Sequence, residues 1–283
     1  MSSTDSSGQP VLTEDELRRF SEFLHARTGM WFGEAKRYYI ERRLHDRLSM
    51  TRSLSFANYF TLLRSDPAEE SAVINSFTVN ETYFYREKHQ LKCMTESILP
   101  EIVSGRGPGD KIRIWSQPCS TGEEAYSIAI WLLENWRMVD AYNVEIVGSD
   151  IDTNALKMAV AGRFGERALG KLPAHVRETY FTAAGPGRYD IIPDLRESVT
   201  FTMANLTDRD LMAAQGLFDI IFCRNVLIYF SDESRARAAD HLYASLAPGG
   251  FICLGHTESM SRISPRFDMR RFADAIVFQR PAP

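Results

Sequence analysis

The chain lacks any apolar run long enough to cross a membrane. Its longest, Ile128 to Leu133, falls far short of the roughly 20 residues a spanning helix needs. Cysteine is scarce: Cys93, Cys119, Cys223 and Cys253 are scattered, with no CxxC pair. That excludes a disulfide scaffold and a zinc knuckle, and leaves small buried hydrophobes in a reducing compartment. The six histidines contain no HxxxH pair, so no metal is expected. No GxGxxG turn is present, which speaks against a dinucleotide. The formal charge of −4 argues against a chain-wide nucleic-acid field. The opening MSSTDSSGQP has no basic stretch leading into an apolar one, so a secretory leader is not expected and a cytoplasmic location is. What is present is ordinary globular material: 283 residues, 44% hydrophobic and 25% charged, enough for one large domain or two modest ones.

The first third reads as all-helical. A disordered tail is expected over 1–12 and a helical domain over 13–78. Thr13 with Glu16 makes a capping box, and Leu17, Phe20, Phe23 and Leu24 recur at helical spacing. A second helix is expected from about Glu34 to Met50, burying Ile40, Leu44 and Leu48, with short helices after it. Residues 79–108 read as a linker and first helix of a second domain. From 109 to 283 the pattern changes. KIRIW (Lys111 to Trp115), VEIVG (Val144 to Gly148), FDIIFC (Phe218 to Cys223) and Gly250 to Leu254 are short apolar runs alternating with helical segments. That alternation indicates a parallel sheet in an α/β fold. A small β insert is expected at about 164–203, including Tyr189 to Ile192 and Val199 to Met203.

In an open parallel sheet the ligand sits beyond the carboxyl ends of the strands, so the residues after each strand matter most. After KIRIW comes Ser116-Gln-Pro-Cys-Ser-Thr-Gly-Glu-Glu124, with Ser120 and Glu123 at capping-box spacing. Two acidic residues opening a helix would repel a pyrophosphate but suit a ligand carrying an ammonium group. After the second strand Asp150 is placed to bond ribose hydroxyls, and Asp152 reads as the N-cap of the next helix. Asn205 offers an amide to an adenine edge and Leu206 an apolar side chain to its ring. Arg224 and Asn225 follow a buried strand, where polar groups are costly unless used.

STGEEAYS, SDID, FCRNVLIYF, LAPGG and GHTES, in that order, together with NETYFYRE at 80–87, closely resemble the bacterial chemotaxis-receptor glutamate methyltransferase family, CheR. The match runs from about 14 to 280. One departure is Gln117-Pro118, where relatives usually carry two small residues; it is expected to reshape the loop slightly without removing ligand binding, and Tyr83 and Tyr85 flanking Phe84 are further mild departures. The resemblance implies an all-helical N-terminal domain followed by a class I, Rossmann-like methyltransferase domain with a small inserted antiparallel β subdomain. It implies S-adenosylmethionine as cofactor and S-adenosylhomocysteine as product. Glu123 or Glu124 would face the methionine amino end, Asp150 the ribose, and Asn205 and Leu206 the adenine. Asn80, Thr82 and Arg86 would close over the cofactor, and Arg224 and Asn225 would complete the pocket. Arg86 and Tyr229 are the candidate catalytic residues.

The implied substrate is a glutamate on the cytoplasmic helical bundle of a chemoreceptor. Residues 18–52 carry nine Lys/Arg against four Asp/Glu. On the second helix Lys36, Arg43 and Arg47 fall within about 40° of one another, so they are expected to form a basic docking flank. A regulatory adaptor is a further candidate partner. Neither nucleic acid nor direct membrane insertion is expected, and a monomer is. The rival functions are a methyltransferase for RNA or a small molecule, and a non-catalytic cofactor-binding adaptor.

Overall fold

A computed structural model describes residues 12–33 and 36–282. The expected tail thus lies outside the described residues except for Leu12, which is buried, and so does Glu34, the expected start of the second helix. The chain divides into two compact units. One runs to Val79 and includes Tyr229–Arg235; the other comprises Asn80–Ile228 and the chain from Ala236 onward.

The first unit contains four helices: α1 (Glu14–Thr28), α2 (Arg37–Thr51), α3 (Phe56–Ser65) and α4 (Pro67–Phe77). Their ends follow local chemistry. Thr13 and Glu16 form the capping box of α1, and Gly29 closes it at φ 75°, a left-handed conformation that glycine adopts without a Cβ penalty. Asp66 caps α4, with Pro67 in its first turn. The apolar stripe of α2 is the expected one, Ile40, Leu44 and Leu48. It packs in a core with Phe20, Leu24, Tyr59 and Phe77, each worth about 1.5–3 kcal/mol when fully buried. Tyr229–Arg235 joins this unit through a bridge between Met30 and Phe230 and through His25, whose Nε2 lies 2.8 Å from the Ser231 hydroxyl.

In the second unit, α5 (Lys88–Cys93) continues through a π turn at Met94–Ile98 into α6 (Leu99–Val103). Then follow β1 (Lys111–Ser116), α7 (Glu123–Asn135), β2 (Asn143–Asp150) and α8 (Thr153–Ala161). The excursion after α8 contains β3 (Arg163–Gly165), α9 (Glu166–Leu169), α10 (Ala174–Tyr180), β4 (Phe181–Ala183), β5 (Arg188–Ile191) and α11 (Pro193–Glu197). The chain continues through β6 (Val199–Met203), α12 (Arg209–Ala213), β7 (Phe218–Cys223), α13 (Asp232–Ser245), β8 (Leu246–Leu254), β9 (Asp268–Arg271) and β10 (Ile276–Gln279).

Seven strands form one sheet in the order β6-β2-β1-β7-β8-β10-β9. The first five are parallel, and β10 and β9 add an antiparallel edge. Every residue of β7 is buried, as expected of a strand covered on both faces. A separate antiparallel sheet, β3-β5-β4, is the inserted subdomain. Val199–Met203 does not belong to it. Expected within the insert, this segment instead pairs with β2 as the edge of the main sheet, because its register with Ile146–Asp150 satisfies the backbone there.

The chain runs outward from β1 to β2 and β6, then returns to the other side of β1 for β7 and β8. The strand order therefore reverses between β1 and β7, which opens a crevice at their carboxyl ends.

Candidate active site

The residues beyond β1, β2, β6 and β7 in the second unit are tied to one another by short polar contacts. After β1, the Gln117 N–H donates to the Phe222 carbonyl and the Cys119 N–H to the Ser149 carbonyl, so the turn is pinned to strands on either side. Ser120 is not a helix cap. Its N–H donates to Asp150 (2.7 Å) and its hydroxyl to the Asn80 side-chain oxygen (2.9 Å). Helix α7 is instead preceded by Gly122 at φ 98°, and the capping box expected from Ser120 and Glu123 does not form. A side chain at Gly122 would be strained by that φ and would also meet Ala159 at 3.0 Å.

Both glutamates at the start of α7 are buried, but in different electrostatic settings. Glu123 accepts from the Thr121 hydroxyl (2.6 Å), and burial raises its pKa against the pull of that bond. Glu124 accepts from Ser116 (2.8 Å) through one oxygen and from the Arg224 guanidinium through the other. Arg224 is equally buried. Burial alone would lower its pKa, yet Glu124 and then Glu87 outweigh that effect and raise it. Its Nη1 donates to the Arg86 carbonyl (2.9 Å), so one guanidinium ties the ends of β1 and β7 to the 80–87 segment.

Asp150 at the end of β2 is 3% exposed and accepts N–H bonds from Ser120 and Asp152. Burial raises its pKa to about 6 despite those bonds. Asp152 caps α8 by accepting from the N–H groups of Asn154 and Ala155, and its other oxygen accepts from the Asn80 amide (2.7 Å). Asn80 thus bridges the ends of β1 and β2. Beyond β6, the Asn205 side-chain oxygen accepts from the N–H and hydroxyl of Thr207; Leu206 is buried, and its carbonyl meets His241 Nδ1 at 2.9 Å.

The 80–87 segment is anchored by its aromatics. Phe84 is fully buried, with ring centroids 4.9 Å from Phe164 and 5.1 Å from Phe181, and its N–H donates to the Ala168 carbonyl. Tyr85 packs against Trp131, and its N–H donates to Ser127 (3.0 Å). Tyr85 and Glu87 both hold left-handed backbone conformations, at φ 58° and 52°. Such non-glycine conformations cost about 1–3 kcal/mol each and concentrate at functional segments. Between them Arg86 is half-buried, donates to the Glu81 carbonyl (2.7 Å) and lies over the Tyr83 ring. Thr82 is half-buried beside them.

The structure therefore gathers Asn80, Arg86, Glu124, Asp150, Arg224 and their neighbours around adjoining strand ends. Tyr229 falls in the other unit, where its carbonyl accepts from the Trp31 N–H (2.8 Å). The expected basic flank on α2 needs correction. Arg47 forms a buried two-pronged ion pair with Glu69, which also accepts from the Tyr59 hydroxyl (2.7 Å). Arg43 donates to the Ser76 carbonyl and lies 3.9 Å from the Tyr39 ring centroid. These two arginines hold helices together, and only Lys36 of the three is exposed. All four cysteines are buried free thiols. Two groups had no role on sequence grounds: Glu87, beside Arg224, and Glu258, in the GHTES motif.

A parallel sheet with this strand order and an acidic residue closing β2 define a Rossmann-like fold that takes its ligand at the strand ends. The CheR methyltransferase all-alpha domain matches residues 15–78 and the CheR methyltransferase SAM binding domain residues 80–276. The chain belongs to the CheR methyltransferase family, and its cofactor is S-adenosylmethionine. It is 45% identical over 273 residues to chemotaxis protein methyltransferase 2 of Vibrio cholerae serotype O1, covering 96% of this chain and 94% of that one. It is 36% identical to chemotaxis protein methyltransferase 2 of Pseudomonas aeruginosa, covering 89% of each chain. The chemotaxis protein methyltransferase of Vibrio parahaemolyticus serotype O3:K6 is 34% identical, covering 95% of this chain and 98% of that one. No helix among the described residues is long and apolar enough to cross a membrane.

The side chains present suit this cofactor: a buried carboxylate for a ribose diol, and a second, charge-paired carboxylate for an ammonium group.

Proposed function

We propose that this protein transfers a methyl group from S-adenosylmethionine to glutamate side chains on the cytoplasmic helices of chemoreceptors, forming methyl esters that serve adaptation in chemotaxis. The observation that carries the reading is the buried Glu124–Arg224–Arg86 linkage at the reversal of strand order, which unites the cofactor edge with the 80–87 segment. Of the two glutamates, Glu124 is the better partner for the ammonium group. Its carboxylate is paired with the Arg224 guanidinium, whereas burial raises the pKa of Glu123. Asp150 accepts from the ribose. Asn205 and Leu206 frame the adenine; Asn80 and Thr82 close the near side and Arg224 and Asn225 the far side.

When bound, the cofactor supplies an electrophilic methyl for in-line displacement by a carboxylate. The acceptor glutamate, with a reference pKa of about 4.3, is ionised at neutral pH, so no general base is needed. The work left to the protein is positioning and exclusion of water. Arg86 can hold the incoming carboxylate through two parallel N–H donors without neutralising its lone pairs by proton transfer. Exposed Lys36 is retained as a contact for an acidic receptor helix.

Incubation with methyl-labelled cofactor and chemoreceptor-bearing membranes tests the substrate. Base-labile label on the receptor is expected; label that appears only on RNA or a small molecule would refute the assignment.

Asp150 gives the site a pH dependence. Its folded pKa of about 6 lies above the unfolded reference of about 3.9. Its contribution to stability is therefore fully present below the unfolded value and is lost as pH rises through about 6. Ribose binding has the opposite sign, because the ionised carboxylate accepts hydroxyl bonds more strongly. Titration calorimetry should show S-adenosylhomocysteine affinity falling as pH drops below about 6. Asp150→Asn should flatten that profile and weaken binding at pH 8, because it also turns one of the two oxygens that accept backbone N–H groups into a donor. An unchanged pH profile in the variant would show that Asp150 is not the titrating group.

A further inference from the structure

Glu258 is not among the residues proposed to hold the cofactor, yet its carboxylate is the centre of an unusual cluster of donors, one of them from Asn225. One oxygen accepts from the N–H of Asn225 (2.7 Å) and the N–H of Gly255 (2.9 Å); the other accepts from Val226 (3.1 Å) and Leu227 (2.8 Å). Three successive backbone N–H groups after β7 and one after β8 thus converge on a single side chain. An arrangement of consecutive N–H groups around a concavity is an anion nest, and here the anion is built into the chain. Asn225 holds the left-handed conformation, φ 59°, that such a nest requires. Without a partner, these buried or half-buried N–H groups would each carry a desolvation penalty.

The packing around the cluster is equally specific. A Cβ at Gly255 would lie 2.6 Å from the Asn225 amide nitrogen, 2.8 Å from a Glu258 oxygen and 3.0 Å from the Asn225 backbone nitrogen. The Asn225 side chain therefore rests directly on the Gly255 backbone, and its position follows from that of the Glu258 carboxylate. Arg224, the residue before it, carries the ion pair with Glu124.

We infer that Glu258 is a positioning residue: by capturing the N–H groups of Asn225, Val226, Leu227 and Gly255, it fixes the Asn225 side chain next to Arg224, whose ion pair with Glu124 marks the end of the pocket assigned to the cofactor's ammonium group. The inference rests on the assignment of Asn225 to the cofactor pocket. Glu258 acts through the backbone and touches neither cofactor nor substrate. Replacing it with glutamine keeps the shape but turns one acceptor into a donor facing N–H groups, so the 225–227 turn must shift.

Titration calorimetry with two nucleosides tests this. S-adenosylhomocysteine carries the amino-acid end, whereas 5′-methylthioadenosine keeps the adenine and ribose but lacks it. Glu258→Gln is expected to weaken S-adenosylhomocysteine by about tenfold and leave methylthioadenosine within about twofold. In the Asn225→Ala background, Glu258→Gln should cost nothing further, because both changes remove the same contact. Gly255→Ala, which crowds the Asn225 amide and the Glu258 oxygen while keeping the carboxylate's charge, should reproduce the selective loss, and it provides the test if Glu258→Gln fails to fold. Equal weakening of both nucleosides, or full additivity with Asn225→Ala, would overturn the inference and leave Glu258 a purely structural residue. Failure of the wild-type protein to bind either nucleoside would instead remove the pocket assignment itself.

Discussion

Replacing Arg86 with alanine is expected to leave the protein folded and lower methyl transfer by about 10²–10³-fold, the range seen when one preorganised donor is removed from an active site. The reasons are local. The Arg86 guanidinium contacts a carbonyl and a ring rather than a carboxylate, so its removal strands no buried anion. Its backbone carbonyl, which accepts from Arg224, is kept by any residue, and Phe84 and Tyr85 still anchor the segment. What goes is the fork that would hold the acceptor carboxylate. Lysine restores a charge but not the two parallel donors, so Arg86→Lys should recover only part of the rate. Steady-state kinetics at saturating cofactor, with circular dichroism to verify folding, measures this. Turnover within a few-fold of wild type in Arg86→Ala would remove Arg86 from the chemistry.

Glu124→Ala is expected to act on stability as well as on binding. The Glu124–Arg224 pair is buried on both sides, and removing one partner leaves the other charge uncompensated, at a cost of about 3–5 kcal/mol. The Arg86 carbonyl and the more distant Glu87, 3.7 Å away, would retain part of the arginine's environment. Denaturant unfolding should therefore show a large fall in midpoint. Glu124→Gln keeps a hydrogen-bond acceptor for Arg224 and should stay folded, while losing affinity for S-adenosylhomocysteine more than for methylthioadenosine. A loss in Glu124→Ala below about 1 kcal/mol, the level of a surface pair, would contradict the buried linkage.

The distribution of what sequence reasoning could and could not see follows from the range of the interactions. Elements set by local chemistry were legible: the capping box at Thr13, the Asp152 cap, the fully buried FDIIFC strand and the apolar stripe of α2. Val199–Met203 reads as a strand from its alternation, but whether it joins an insert or the main sheet depends on its partner, which the alternation does not specify. The position of Arg47 on α2 follows from helical geometry. The opposing Glu69, from α4, does not, and it converts an expected docking residue into an internal ion pair. Ser120 and Glu123 have capping-box spacing, yet Asp150 and Asn80 capture Ser120 across the strand ends. Glu258 lay in a motif that carries the family resemblance, but its four donors come from two different strand ends. Its role becomes visible only once β7 and β8 are adjacent.

The most direct check is the crystal structure of the protein with S-adenosylhomocysteine. The nucleoside should lie across the carboxyl ends of β1 and β2, its ribose hydroxyls on Asp150 and its ammonium group on Glu124. A saturated crystal in which Asp150 and Glu124 keep only their protein partners, with the nucleoside bound elsewhere, would contradict the account.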